Sequence, residues 1–185
     1  MTDVIKTAEL KAAGVPGYVI DLKCRPGGPW QRILPGVLLL SPAPPTRAQR
    51  VRAALAYAGE GAVVTGVDAL RAHGLTPLPH PHPKIHLLSP PATRRANPDQ
   101  VILERTTRPP EVVLRDGLPV AEPTRAALDA ARHDPNPLRQ HHMLATAVST
   151  GLCTVAGLTA ELNAGSKRGS ATPRSTLKLL AALLR

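Results

Sequence analysis

Seven histidines and two cysteines are the side chains of this 185-residue sequence best suited to hold a metal or act as nucleophiles. Four histidines fall close together: His73, then His80, His82 and His86. A His-x-His-x-x-x-His spacing can ligate zinc. Here its context is Pro79-His80-Pro81-His82-Pro83, which offers no helix to aim two imidazoles, and no Cys or Asp stands near. His141 and His142 are adjacent on a predicted helix and so point in different directions. Cys24 and Cys153 lie far apart and form no CxxC, so buried thiols are the expectation. Among the carboxylates, Asp116 sits in an Asp-Gly turn and Glu122 at a helix start, where turn chemistry and the helix dipole account for them. Asp129 and Asp134 fall in the same neutral central segment. A metal-dependent nuclease needs clustered carboxylates, yet residues 137–185 contain one acid, Glu161. No Gly-x-Ser-x-Gly, P-loop or Cys–His pairing is present. The residues predict no catalytic centre, no metal site and no cofactor.

The bases suggest different chemistry. Lys and Arg number 23 against 13 acids, a formal net charge of +10. The surplus is uneven: residues 89–136 are neutral, while 137–185 carry six bases against the single acid. Such a balance favours a polyanionic partner, nucleic acid first; the plainer alternative is an Arg-rich composition with solvated faces. No basic amphipathic helix marks a membrane-surface binder. The start, MTDVIKTAEL, is no signal peptide, and no run approaches the roughly 18 apolar residues of a membrane helix. A cytoplasmic location is expected.

The elements that would present those bases begin at Thr7. Thr7 is placed to cap a short helix packed through Ala8, Leu10, Ala12 and Ala13, and Gly14-Val15-Pro16-Gly17 ends it. Tyr18 to Cys24 predicts a second helix with Val19, Leu22 and Cys24 turned inward. Pro26-Gly27-Gly28-Pro29 breaks it, and Trp30–Leu34 and Val37–Leu40 read as two strands joined at Pro35-Gly36. Helix, turn, helix and hairpin is the order of a winged helix, whose second helix enters the major groove while the wing touches the backbone. The candidate DNA contacts are then Tyr18, Lys23 and Arg25 on the helix, and Gln31 and Arg32 on the wing. Lys23 and Arg25 are few for one chain, since each neutralised phosphate adds only about 0.9 to the salt slope. Arg47, Arg50, Lys167 and Arg168 are the candidate auxiliary phosphate contacts, and a dimer on DNA would add more.

Ser41-Pro42-Ala43-Pro44-Pro45 reads as a stiff linker and a domain boundary, dividing 1–42 from 43–185. Thr46 caps a helix to Ala58 with Val51, Ala54, Leu55 and Ala58 on one face. A short strand at Ala62–Val64, a helix at Val67–His73, and strands at Lys84–Leu88 and Val101–Arg105 follow. Val112–Arg115 and Leu118–Val120 form a hairpin about Asp116-Gly117. Four helices close the chain: from Glu122 to Arg132, from Pro137 to Thr150, from Val155 to Asn163 behind Thr154, and from Pro173 to Leu184.

This order of segments resembles the AbiEi-type antitoxins of abortive-infection, type IV toxin–antitoxin systems. The resemblance is carried by TAELKAAGV, by WQRILPGVLLLSP, by VVTGVDALRAHGL, by IHLLSPP, and by AVSTGLCTVAGLTAEL. Its most specific piece is RDGLPVAEPTRAALD, Arg115 to Asp129. It implies a DNA-binding winged helix that represses its own operon, and a C-terminal region that counteracts a nucleotidyltransferase-like toxin. Many relatives continue into a Vsr-like endonuclease domain, whereas this sequence ends at Arg185. Relatives also have a helix before the one beginning at Thr7, and a more arginine-rich recognition helix; here the helix carries an acid, Asp21. A carboxylate facing phosphates is repulsive, and only cytosine N4 among base edges welcomes it.

The expected class is α+β: an N-terminal winged helix-turn-helix, then a small β-sheet flanked by helices, with a helical C-terminus. The expected function is a DNA-binding transcriptional regulator acting on its own promoter, with a toxin as second partner. The alternative is a protein-interaction antitoxin module without useful DNA binding.

Overall fold

The computed structural model describes residues 3–78 and 83–184. It has the α+β class expected, with two small sheets and helices around them.

A strand absent from the sequence reading, β1 (Val4–Lys6), opens the chain and runs straight into α1 (Thr7–Ala12). The residue before the helix is therefore Lys6, in extended conformation, and Thr7 is the first helical residue rather than its cap. The Thr7 backbone N–H instead donates to the Gly36 carbonyl at 2.9 Å, while its hydroxyl is buried without a partner. Of the four packing residues expected on α1 only Leu10 is buried. Gly14 ends the helix at φ +85°, with Gly14 N–H bonded to Lys11 O and Val15 N–H to Leu10 O, the paired bonds of a Schellman stop.

Helix α2 (Gly17–Lys23) buries Ile20, not Leu22, which is 52 % exposed. Two turns hold too few residues for periodicity to set the helix phase. Leu10 and Leu38 set it instead, forming a small core with Ile20, against which Cys24 and Trp30 rest. Gly28 lets the following loop fold back over the helix end. A Cβ there would sit 2.4 Å from the Lys23 carbonyl oxygen, a position only glycine fits.

The hairpin forms as read: β2 (Gln31–Leu34) and β3 (Val37–Leu39), turned by Pro35 and Gly36, with Gly36 at φ +73°. Strand order is β1-β3-β2, all antiparallel, with Val4 opposite Leu39 and Gln31 also opposite Leu39. Neighbours in β3 serve different cores. Leu38 faces α1 and α2, whereas Val37, with Leu34, joins the main core.

Helix α3 (Arg47–Ala58) carries a full capping box: the Thr46 hydroxyl accepts from Gln49 N–H and the Gln49 side chain from Thr46 N–H. It packs on all three N-terminal strands and on the second sheet. That sheet has the order β6-β5-β4-β8-β7, from β4 (Val63–Val64), β5 (Ile85–Ser89), β6 (Val101–Arg105), β7 (Val112–Arg115) and β8 (Leu118–Ala121). Pairings β5–β6 and β4–β8 are parallel, the other two antiparallel. Asp116 (φ +50°) and Gly117 (φ +73°) form the two-residue turn whose twist matches the flanking strands. Every residue of β5 is buried, so helices cover both its faces.

Between β4 and β5 lies α4 (Gly66–Ala72). The helical remainder comprises α5 (Pro123–His133), α6 (Pro137–Ser149), α7 (Val155–Ala164) and α8 (Ala171–Leu183). The first three are capped by local side chains: the Glu122 carboxylate accepts from Thr124 and Arg125 N–H at 2.7 Å, Asn136 from Leu138 N–H, and Thr154 from Gly157 N–H. α5 is the central strut, buried continuously from Arg125 to Ala131 and packed against α4, α6, α7 and α8. No helix among the described residues is long and apolar enough to cross a membrane.

Candidate functional site

Four of the five residues proposed for DNA contact, Lys23, Arg25, Gln31 and Arg32, gather around Trp30 beside the wing. Tyr18 projects from the outer face of α2 and is 73 % exposed. Arg25, just past that helix, is exposed as well. Arg25, Gln31 and Arg32 line one shallow groove, of about 540 Å³, with Pro26, Gly27 and Trp30. The Lys23 ammonium lies 5.2 Å from the Trp30 ring centroid, within cation–π range.

Besides Lys23, two of the five are engaged inside the unit by hydrogen bonds or ion pairs. The Gln31 amide donates to the carbonyls of Ser41 and Ala43, at 2.7 and 2.6 Å, which moors the proline-rich segment to the wing. An Arg32 guanidinium nitrogen lies 2.5 Å from an Asp21 oxygen. Both are exposed, so the pair is weak and exchanges readily with solvent or a competing anion.

The auxiliary bases divide similarly. Arg47 forms two hydrogen bonds to Asp68, 2.8 and 2.7 Å, and reaches the Lys84 carbonyl at 3.2 Å; it ties α3 to α4 and to the start of β5 instead of facing outward. Arg50 lines a groove of about 320 Å³ between wing and α3 that also contains Arg32. Lys167 and Arg168 are exposed on the loop joining α7 to α8.

A second set of polar side chains is buried at the heart of the second unit. The Asp129 carboxylate is 1 % exposed; it accepts the Thr65 hydroxyl at 2.8 Å and Arg125 Nε at 3.0 and 3.1 Å. Arg125 also lies 3.5 Å from Glu161, which Arg108 grips with two nitrogens. This network clamps α5, α7, the loop after β6 and the end of β4.

Beside it stand His86, Glu104 and His133. Parallel pairing sets Leu88 opposite Glu104, so Glu104 shares a sheet face with His86, two residues from Leu88. α5 brings His133 over that face, its ring centroid 4.1 Å from that of His86. Glu104 Oε2 lies 3.2 Å from His86 Nε2 and 3.8 Å from His133 Nε2. The hydrogen bond from His86 holds the Glu104 carboxyl below its ordinary range, against the effect of burial. Burial and the neighbouring His86 push His133 down, toward the neutral imidazole.

Sequence proximity groups His86 with His73, His80 and His82. His80 and His82 lie outside the described residues, and His73 bonds elsewhere, through Nε2 to the Ala121 carbonyl at 2.9 Å. His141 bonds Thr176 and shares nothing with His142. Glu104 and His133 carried no local signal, because strand pairing and helix packing create their proximity. As read, Asp116 and Glu122 serve a turn and a cap.

No family model matches the chain, and no curated protein matches it. Its fold is similar to that in the crystal structure of the RV2827C protein from Mycobacterium tuberculosis, with a TM-score of 0.58 and 16 % identity. The likeness covers 95 % of this chain and 71 % of that one. At that identity the likeness is one of fold.

Proposed function

We propose that this chain is a DNA-binding transcriptional regulator whose first 42 residues act as a winged helix, of the kind the AbiEi-type antitoxins use. In this reading α2 enters the major groove and the β2–β3 hairpin lies on the backbone. The observation that carries it is the order β1-α1-α2-β2-β3, with the three strands behind and the Tyr18 face of α2 open to solvent. Arg25, Lys23 and Tyr18 supply first contacts, and Arg32 and Arg50 extend a basic strip along the wing groove. Phosphate contacts would fix the register and few groups would read bases. Repression would follow from occupancy of the chain's own promoter, and the second unit would engage a nucleotidyltransferase-like toxin. Two copies on a two-fold site would double a small set of cations.

The Asp21–Arg32 pair and the moored Gln31 favour a second reading, in which the unit is a protein-interaction module. Gel shift with the DNA upstream of the gene, at two salt concentrations, separates the two. A sequence-selective shift that weakens with salt supports the regulator. No shift at low salt, with capture of a co-expressed neighbouring gene product, supports the module.

A further inference from the structure

We propose that His86, Glu104 and His133 form a binding site for one first-row divalent transition-metal ion of the zinc class. Among the described residues these three bring one ligand atom each to within 4.8 Å of the other two. Ligands about 2.1 Å from a tetrahedral ion stand about 3.4 Å apart. The separations of 3.2 and 3.8 Å from Glu104 Oε2 bracket that spacing and the histidine–histidine edge is within 4.8 Å, so side-chain rotation, with the His86 ring proton moved from Nε2 to Nδ1, closes the site.

The surroundings orient the ligands for this use. His133 Nδ1–H donates to the Asp129 carbonyl at 3.0 Å, which leaves Nε2 with its lone pair toward Glu104. An outer hydrogen bond of this type fixes tautomer and ring plane in metal-binding histidines. Asp129 is itself held by Arg125 and Thr65. His133 is the last residue of α5, where the helix dipole favours a cation. Gly66, at φ +67°, brings the start of α4 against the other side of His86, 3.5 Å from Nδ1 to a Cβ built there.

Two imidazoles and a carboxylate suit zinc and ferrous iron and leave positions open. Those positions face outward, since the Glu104 and His133 side chains are 39 % and 35 % exposed. The ion would lock β5, β6 and α5 together and present a vacant coordination position to a small anion or a side chain of a partner. None of the three ligands belongs to the N-terminal unit, so the site stands or falls apart from DNA binding.

The test is titration of the untagged, metal-stripped full chain with cobalt(II) alone, then displacement by zinc, with ferrous iron in a separate anaerobic arm. The site predicts one ion per chain, visible cobalt bands of a four- or five-coordinate centre, and a melting temperature that rises with metal concentration. Glu104→Gln and His133→Ala should each weaken binding by more than the roughly 10–100-fold cost of losing an outer-shell partner. His142→Ala, on an exposed residue, should not. Melting of each metal-free variant checks folding; if His133→Ala does not fold, the near-isosteric Glu104→Gln decides. Absence of a saturable 1:1 site, or binding unchanged in the folded variants, overturns the proposal.

Discussion

The Arg32 guanidinium lies 2.5 Å from the Asp21 carboxylate, across the gap between the wing and α2. On a DNA-facing surface this carboxylate does two things: it occupies a cation and repels phosphate. Asp21→Asn should therefore tighten duplex binding at low salt. Freeing Arg32 for one phosphate should also steepen the log–log salt dependence by about 0.9. Fluorescence anisotropy across a salt series measures both. An unaltered slope would show that Arg32 does not meet the backbone.

Arg25→Ala and Tyr18→Ala should separate grip from reading. Loss of Arg25 should weaken binding to all duplexes alike and flatten the salt slope by about 0.9, as loss of one phosphate contact does. Loss of Tyr18 should leave the slope unchanged. If it contacts bases, it should narrow the gap between promoter and random DNA. Competition assays with both duplexes read the difference.

Asp129 anchors the interior, and its removal should be costly. Asp129→Ala leaves the buried Arg125 with Glu161, 3.5 Å away, as its remaining carboxylate, and the Thr65 hydroxyl without an acceptor. Breaking a buried pair costs about 3–5 kcal/mol, and the remaining Glu161 sets this loss at the lower end of that range. Urea denaturation should show the midpoint falling accordingly. The exposed Asp21→Asn should leave the same midpoint nearly in place.

Arg47 offers an intermediate case. Its partner Asp68 keeps only 8 % of its side chain accessible, while Arg47 itself is 26 % exposed. Arg47→Ala should cost about 2–3 kcal/mol, below the full range for a wholly buried pair, and should leave DNA affinity almost unchanged because the guanidinium is already committed. A large loss of affinity with intact stability would contradict that placement.

Cys153 gives a pH dependence with a definite sign. Burial raises its thiol to about 11 from an ordinary 9.0. A group whose folded value is raised stabilises the fold fully below the unfolded value and loses that contribution as pH climbs through the folded one. Wild type should thus lose stability between pH 9 and 11, by at most about 2–3 kcal/mol from this group, and Cys153→Ala should lack that component. In the folded chain at pH 8, alkylating reagents should reach the partly accessible Cys24 and spare Cys153.

What could be read in the sequence follows from how local each cause is. Thr46 with Gln49, Asp116 with Gly117, and Thr154 ahead of Val155 carry their structural instructions within four residues, and each feature formed where expected. Leu10 was found on α1, but the inward face of α2 was not. Seven residues leave several phases open, and the choice belongs to Leu38 on a distant strand. β1 escaped notice because Val4-Ile5-Lys6 is three residues long, and becomes a strand only because β3 offers it an edge. The His86–Glu104–His133 cluster is the extreme case. Its members sit on two parallel strands and a helix, and nothing nearer than the tertiary fold connects them.

Val37 and Leu38 are adjacent in β3 and point into separate cores. A fragment cut at Pro45 would keep Leu38 covered by α1 and α2 but would strip α3 from Leu34 and Val37. The excised piece would carry a raw oily underside and should self-associate or melt. An engineer wishing to transplant the wing and its helix onto another protein should therefore carry α3 with them.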